Sequence, residues 1–168
     1  MALTKNINVM WFRQDLRLAD NPALTNALED GKTLPIFILD NVNSKEHING
    51  AASKWWLHHS LIKLNKSLKN KICFFVGNPI DILDDIHKQF EISNIFWSRC
   101  YEPWRIKRDK KIKKYFIDKN VNVNTFNGSL LWEPWNIAKK DGTPYKVFTP
   151  YYRKGCLNSD KPRMPLQA

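Results

Sequence analysis

Val9-Met-Trp-Phe-Arg13-Gln-Asp15-Leu-Arg17-Leu-Ala-Asp20-Asn21-Pro22 is the stretch whose reading decides the fold. Its first residues complete an apolar run, Ile7 to Phe12, that reads as a buried strand. The run stops abruptly at Arg13, Gln14 and Asp15, polar groups placed where a strand leaves its sheet. Asn21 then reads as a helix N-cap and Pro22 as the first helical residue. A strand, a charged turn and a helix open an α/β domain, and in such domains ligands sit outside the carboxyl ends of the strands. Two arginines and an aspartate within five residues at a strand exit favour a binding site over a surface turn with incidental charges.

Four more strands are expected downstream, at 34–39, 72–76, 94–97 and 121–126. The first two strands are continuous apolar runs rather than alternating ones, the pattern of a parallel sheet covered on both faces. Helices are expected between all five. The first ends at Asp30-Gly31, with the glycine as its stop. The second, 53–68, is capped by Ser53 and carries Leu57, Leu61, Leu64 and Leu68 on one face. The third starts at Asn78-Pro79 and buries Ile82, Leu83, Ile86 and Phe90; the fourth, strongly basic, runs to about residue 119 and buries Ile112, Tyr115 and Phe116. This βαβαβαβαβ series predicts a five-stranded, doubly wound parallel sheet, Rossmann-like, of order 3-2-1-4-5. That order brings the turns after Phe12 and Trp97, the two most chemically loaded in the chain, to face each other across one crevice. Arg13, Gln14, Asp15, Cys100, Glu102 and Trp104 are expected to line it, with Phe37 and Asp40 at the end of the second strand close by.

What the sequence lacks narrows the chemistry. There is no GxGxxG after the first strand, no GxxxxGK[ST], no serine elbow and no HExxH. The three cysteines, Cys73, Cys100 and Cys156, form no CxxC pair, so neither a zinc site nor a disulfide framework is indicated. His58 and His59 are adjacent on a helix and cannot both face one ion; no metal is expected. The supply of Trp, Tyr and Phe suits a flat aromatic ligand held by stacking and a few polar groups.

With 168 residues, 43% of them hydrophobic, and seven Trp, the chain supports one domain with a real core. No apolar run is long enough to span a membrane, and the start has no signal-peptide core; a reducing cytoplasm fits the cysteine usage. The net charge of +11 sits in two stretches: residues 99–119 hold nine Lys/Arg against three acids, and residues 139–163 hold seven against two. Clustered positive charge suits a nucleic-acid partner; a solvated, lysine-rich surface is the competing reading. After residue 128 the character changes, with four Pro between 144 and 165 interleaved with aromatics, which reads as an extended segment lying across a surface. Trp132, Trp135, Tyr151 and Tyr152 are expected to form an exposed aromatic surface there.

Several segments, in order and at matching spacing, resemble the DNA photolyase and cryptochrome family. These are Trp11-Phe-Arg13-Gln-Asp15-Leu-Arg17-Leu-Ala-Asp20-Asn21-Pro22, Ala52-Ser-Lys54-Trp-Trp-Leu-His-His-Ser-Leu61, Trp97 through Trp104, Phe126 through Pro134, and Gly142 through Pro150. Gln14 stands where the family more usually has Arg, and Ser98 where it often has Asn. The resemblance implies an α/β antenna domain over 1–130, the start of an interdomain connector over 131–168, and a C-terminal helical domain lying beyond this sequence. In the family that helical domain holds FAD and receives the flipped pyrimidine dimer, which is repaired by light-driven electron transfer. This chain alone is therefore expected not to repair DNA. The antenna domain's implied task is to hold a light-harvesting chromophore that passes excitation to FAD, with methenyltetrahydrofolate ranked ahead of a deazaflavin. By resemblance Trp104 stacks on the pterin, Glu102 accepts from its ring amino groups, and Lys54 meets a glutamate tail; as ordinary structure, the three are a core ring, a helix-start carboxylate and a solvated cation. Lys139, Lys140, Lys146, Arg153 and Lys154 either meet DNA or dock on the helical domain. A monomer is expected. A deoxyribodipyrimidine photolyase leads, with a cryptochrome light receptor and a stand-alone folate- or nucleotide-binding module as the alternatives.

Overall fold

The computed structural model describes residues 6–29, 31–44 and 47–167. The chain start at 1–5, Asp30 of the expected Asp30-Gly31 stop, and Ala168 lie outside the described residues. Strands β1 (Ile7–Phe12), β2 (Thr33–Leu39), β3 (Cys73–Val76), β4 (Ile92–Ser98) and β5 (Asn122–Phe126) form one sheet in the order β3-β2-β1-β4-β5. Every pairing is parallel. Helices α1 (Pro22–Glu29), α2 (Ala51–Ser67), α3 (Pro79–Phe90) and α4 (Pro103–Ile117) connect the strands. The fold class and the strand order are those expected from the sequence.

The layering follows from handedness. Crossovers between parallel strands are right-handed, so reversing the direction of travel across the sheet moves the connecting helix to the other face. The chain steps β1 to β2 to β3 one way, then returns across β1 to β4 and β5. Accordingly Met10, Phe12, Phe37 and Phe96 pack with Ala23, Leu24 and Ala27 of α1 and Leu64 of α2. Val9, Trp11, Ile36, Ile95 and Trp97 pack on the opposite face with Leu83 and Ile86 of α3 and Ile112 and Phe116 of α4. Alternate residues of β1 thus serve two cores, which is why its sequence shows no polar alternation.

A local signal accounts for the start of α1. Asn21, fully buried, accepts the Leu24 N–H on Oδ1 at 3.1 Å and donates Nδ2 to the Asp15 and Arg17 carbonyls. It caps α1 and closes the charged turn at the same time. Two details differ from expectation. Helix α2 starts at Ala51, behind Gly50, so Ser53 lies inside its first turn and caps nothing. Asn78 does precede α3, but its side chain donates to Asp81 at 2.9 Å rather than capping the backbone.

The segment after β5 is not extended throughout: helical turns run over 148–158, with Cys156 buried. Pro150 sits in the first turn, where a missing N–H costs nothing. Arg99 anchors the segment through Nε and Nη2 to Glu133 Oε1, while Tyr101 donates to Glu133 Oε2 at 2.8 Å. Glu133 is buried; the covering of the Tyr101 phenol itself, and then the Glu133 carboxylate it donates to, push that phenol up to about 12. Trp135, Tyr151 and Tyr152 are exposed as expected, but Trp132 is half-buried because its indole N–H reaches the Asp160 carbonyl at 2.8 Å. No helix among the described residues is long and apolar enough to cross a membrane.

Candidate functional site

The turns leaving β1 and β4 meet at the carboxyl edge of the sheet. Gln14 Nε2 donates to Glu102 Oε1 at 3.0 Å, and Ser98 Oγ, at the end of β4, donates to Asp15 Oδ2 at 2.7 Å. Asp15 Oδ1 takes the Arg13 backbone N–H, which turns the chain sharply out of the sheet. Gly128, after β5, comes so close that a Cβ there would lie 2.4 Å from Ser98 Oγ. Its carbonyl accepts from Arg17. These bonds lock three strand exits into one rim.

Beside that rim lies a cavity of about 850 Å³, bounded by the exits of β1 and β2, residues 41, 44 and 47–49, the first turns of α2 and the first half of α4. Of the residues singled out by sequence, Arg13, Gln14, Phe37, Asp40, Lys54 and Trp104 line it; Asp15, Cys100 and Glu102 do not. Asp15 is taken up by Ser98 and the Arg13 backbone, and Cys100 and Glu102 by Gln14 and Arg105. The Cys100 thiol contacts Gln14 Oε1 at 3.7 Å and accepts from Arg105 Nη1 at 3.4 Å. Burial works to raise the Glu102 pKa, but its own backbone N–H, Arg105 and Gln14 outweigh it and hold the carboxyl below its ordinary value.

Sequence reasoning missed two of the four groups that organise the cavity floor, Arg108 and Asp109. Arg13 Nη1 lies 2.7 Å from Asp109 Oδ2; Arg108 reaches Asp109 Oδ1 at 2.8 Å and Asp40 Oδ2 at 3.0 Å. This Arg13–Asp109–Arg108–Asp40 chain threads between indoles: the Arg13 guanidinium sits 5.0 Å from the Trp11 ring centre, and that of Arg108 sits 5.1 Å from Trp11 and 5.3 Å from Trp104. Asp40 Oδ1 also takes the backbone N–H groups of Val42 and Asn43, which fixes the loop roofing the cavity. Burial works against the charge on Arg13, yet Asp109 and the Cys100 sulfur more than compensate, and its pKa stands above the ordinary arginine value. One signal in the sequence pointed to Arg108: it stands four and eight residues before Ile112 and Phe116, on the buried stripe of α4.

On the cavity wall the Trp104 indole lies near-parallel to the His47 imidazole, 13° between planes and 6.1 Å between centres. Trp11 Nε1 and Arg13 Nε and Nη2 are buried without a hydrogen-bond partner, although Arg13 keeps its ion pair to Asp109. Aromatic walls with unspent N–H donors fit a flat ligand bearing acceptors. No group of His, Cys, Asp and Glu among the described residues is placed to hold a metal. Lys139, Lys140, Lys146, Arg153 and Lys154 are all exposed on the segment after β5, none within ion-pair distance of a described carboxylate.

A doubly wound domain with a ligand-sized cavity at its switch point is the class that fold and site define. The DNA photolyase family profile matches residues 8–167, and the chain belongs to that family. It is 37% identical over 169 residues to a deoxyribodipyrimidine photo-lyase of Agrobacterium fabrum, covering 98% of this chain and 34% of that protein. It is 33% identical over 154 residues to cryptochrome-2 of Arabidopsis thaliana, covering 89% of this chain and 25% of that one. A bacterial class III photolyase from Agrobacterium tumefaciens superposes with a TM-score of 0.87 at 35% identity, over 99% of this chain and 35% of that one. The chain thus spans about a third of the photolyases it matches.

Proposed function

We propose that this chain is the light-harvesting part of a deoxyribodipyrimidine photolyase. Its switch-point cavity seats a planar chromophore that absorbs near-UV or blue light and passes excitation to FAD held by a separate helical domain. Residues 1–130 are the antenna domain, and 131–168 begin the connector. The observation that carries the reading is the cavity itself: about 850 Å³, walled by Trp11, Phe37 and Trp104, with buried N–H donors on its floor. That volume suits a ligand of two or three fused rings. Phe37 and Trp104 would offer ring faces, Arg13 and the Trp11 indole would donate, and Lys54 stands at the side where α2 begins. The chromophore supplies absorption; the residues here supply position and exclude water. The similarity to the Agrobacterium photolyases supports a repair protein, and that to the Arabidopsis cryptochrome supports the light receptor as the second reading.

Methenyltetrahydrofolate remains the first candidate and a deazaflavin the second, although Glu102, the expected partner for a pterin amino group, is engaged by Gln14 and Arg105 outside the cavity. The test is reconstitution of the purified chain with each compound. A saturable complex with a shifted near-UV or blue absorption band, weakened at least tenfold by Trp104→Ala, is the expected result; no complex with either compound refutes the antenna reading. DNA is the proposed partner of the whole protein, and the exposed cations after β5 are proposed to meet it or the helical domain. DNA binding that weakens steeply with salt favours contact by this chain, and absent binding assigns those cations to the other domain.

A further inference from the structure

Two Asn-Gly pairs occur in the chain, Asn49-Gly50 and Asn127-Gly128. Such a pair carries a reaction of its own. With no Cβ in the way, the glycine backbone nitrogen can reach the carbonyl carbon of the asparagine side chain. Attack there closes a cyclic imide and expels ammonia. What decides whether this happens is how firmly the fold holds the two reacting groups.

The fold treats the two pairs differently. Asn127 is clamped at both ends of its amide: Oδ1 accepts the Ser129 N–H at 3.3 Å and the Leu130 N–H at 2.9 Å, and Nδ2 donates to the Leu130 carbonyl at 2.7 Å. This Asx turn directs the side chain toward residues 129 and 130. Gly128 is buried, its carbonyl accepts from Arg17, and a Cβ on it would lie 2.4 Å from Ser98 Oγ. Closing the imide here breaks three hydrogen bonds inside the rim that joins the strand exits. Asn49 and Gly50 are both exposed. Among the described residues, neither end of the Asn49 amide nor the Gly50 N–H has a hydrogen-bond partner. No atom lies within 4 Å of a Cβ built on Gly50.

We infer that Asn49-Gly50 is a site of spontaneous deamidation, and that the Asn127 turn protects the second pair from the same reaction. The Gly50 nitrogen bonds to Asn49 Cγ and gives up its proton; the Cγ–Nδ2 bond breaks, and Nδ2 leaves with that proton as ammonia. One water then opens the ring at either carbonyl. The product is aspartate, or isoaspartate with the main chain running through Cγ. No oxidant or reductant takes part. Both products put a negative charge between residues 42–43, which Asp40 holds through their N–H groups, and α2, whose first turn has no acidic residue. The isoaspartyl form also lengthens the main chain by a methylene at that junction. None of this depends on the antenna reading.

The experiment incubates the 168-residue chain in warm, mildly alkaline buffer, once native and once unfolded in urea. Peptide mass mapping follows amide-to-acid conversion at both pairs, and methyl transfer by an isoaspartyl methyltransferase gives a second readout. In urea the two pairs should convert at similar rates. In the native chain Asn49 should keep its unfolded rate within a few-fold, while Asn127 should slow by at least tenfold. Gly50→Ala should slow conversion at Asn49 by at least tenfold in both states; Gly50 has φ −66° and open space around it, so this variant folds as the wild type does. Native conversion at Asn127 as fast as at Asn49 removes the protective role of the turn. Native protection of Asn49 comparable to that of Asn127, with both converting in urea, overturns the site.

Discussion

The middle and the end of α4 carry similar charges to different surroundings. At its middle, Arg108 and Asp109 join Arg13 and Asp40 beside Trp11 and Trp104. In its last turn and just past it, Tyr115 and Lys119 meet Asp84 of α3, which Lys88 also approaches at 2.9 Å; here it is the lysines that reach solvent. The partners are alike; the surroundings are not. Ions removed from water carry a desolvation cost that only complete pairing offsets, so a buried chain of charges tolerates no missing member. Ions at the surface exchange one partner for water with little change. These two sets of salt bridges thus differ in kind: one shapes a cavity, the other decorates a seam between helices.

That contrast can be broken most directly at Asp109. Asp109→Ala leaves Arg13 and Arg108 buried without their shared carboxylate and should cost about 3–5 kcal/mol of unfolding free energy in urea melts. A triple substitution sharpens the point. Arg13→Met, Arg108→Met and Asp109→Leu together should recover most of that loss, since apolar groups of similar volume often replace buried ion pairs without penalty and Asp40 keeps the Val42 and Asn43 N–H groups, while ligand binding in the cavity stays impaired. Recovery of both stability and binding would show that these charges serve neither purpose. Next in size is Glu133→Gln, which weakens the hold of Arg99 and Tyr101 on the connector. We expect a loss of about 1–3 kcal/mol and faster proteolysis within 130–160. Burial of Tyr101 itself remains in that variant, but the hydrogen bond and charge of Glu133 that add to it are gone or weakened, so the phenol should titrate below about 12, followed by its ultraviolet absorbance.

The smallest effect belongs to the outer cluster. Asp84→Asn should change stability by no more than about 1 kcal/mol at neutral pH. Its pH dependence has a definite sign. Lys119, Lys88 and Tyr115 hold the folded Asp84 carboxyl well below its ordinary value. The unfolded chain therefore takes up the proton first as pH falls, and the advantage of wild type over Asp84→Asn should be constant above about pH 5 and fade below about pH 4. An advantage that persisted to pH 2, or that grew as pH fell, would contradict this assignment.

Much of this was legible in the chain. The strand positions, the two-sided burial of β1 and β2, the Asn21 cap and the meeting of the β1 and β4 exits all follow from local pattern and from which turns carry chemistry. The candidate site was legible only in part. Of the residues named from sequence, Arg13, Gln14, Phe37, Asp40, Lys54 and Trp104 line the cavity, while Asp15, Cys100 and Glu102 do not. Polar side chains at a strand exit satisfy the backbone and one another before they reach a ligand, and sequence position does not show which of the two a given group does. Arg108 and Asp109 were hidden for the opposite reason. They lie in a helix so rich in lysine that its charged residues all read as solvent-facing, and only the four-residue spacing to Ile112 and Phe116 sets Arg108 apart.

The amino-acid order by itself determined the βα rhythm, the parallel sheet and the family, because apolar runs, caps and turn residues act through short-range physics that any reader of the chain can apply. Only the tertiary structure decided which charges are buried, which donors remain unspent and where the cavity opens. Those depend on which distant side chains arrive first at each polar group, and burial multiplies the consequence of every such pairing.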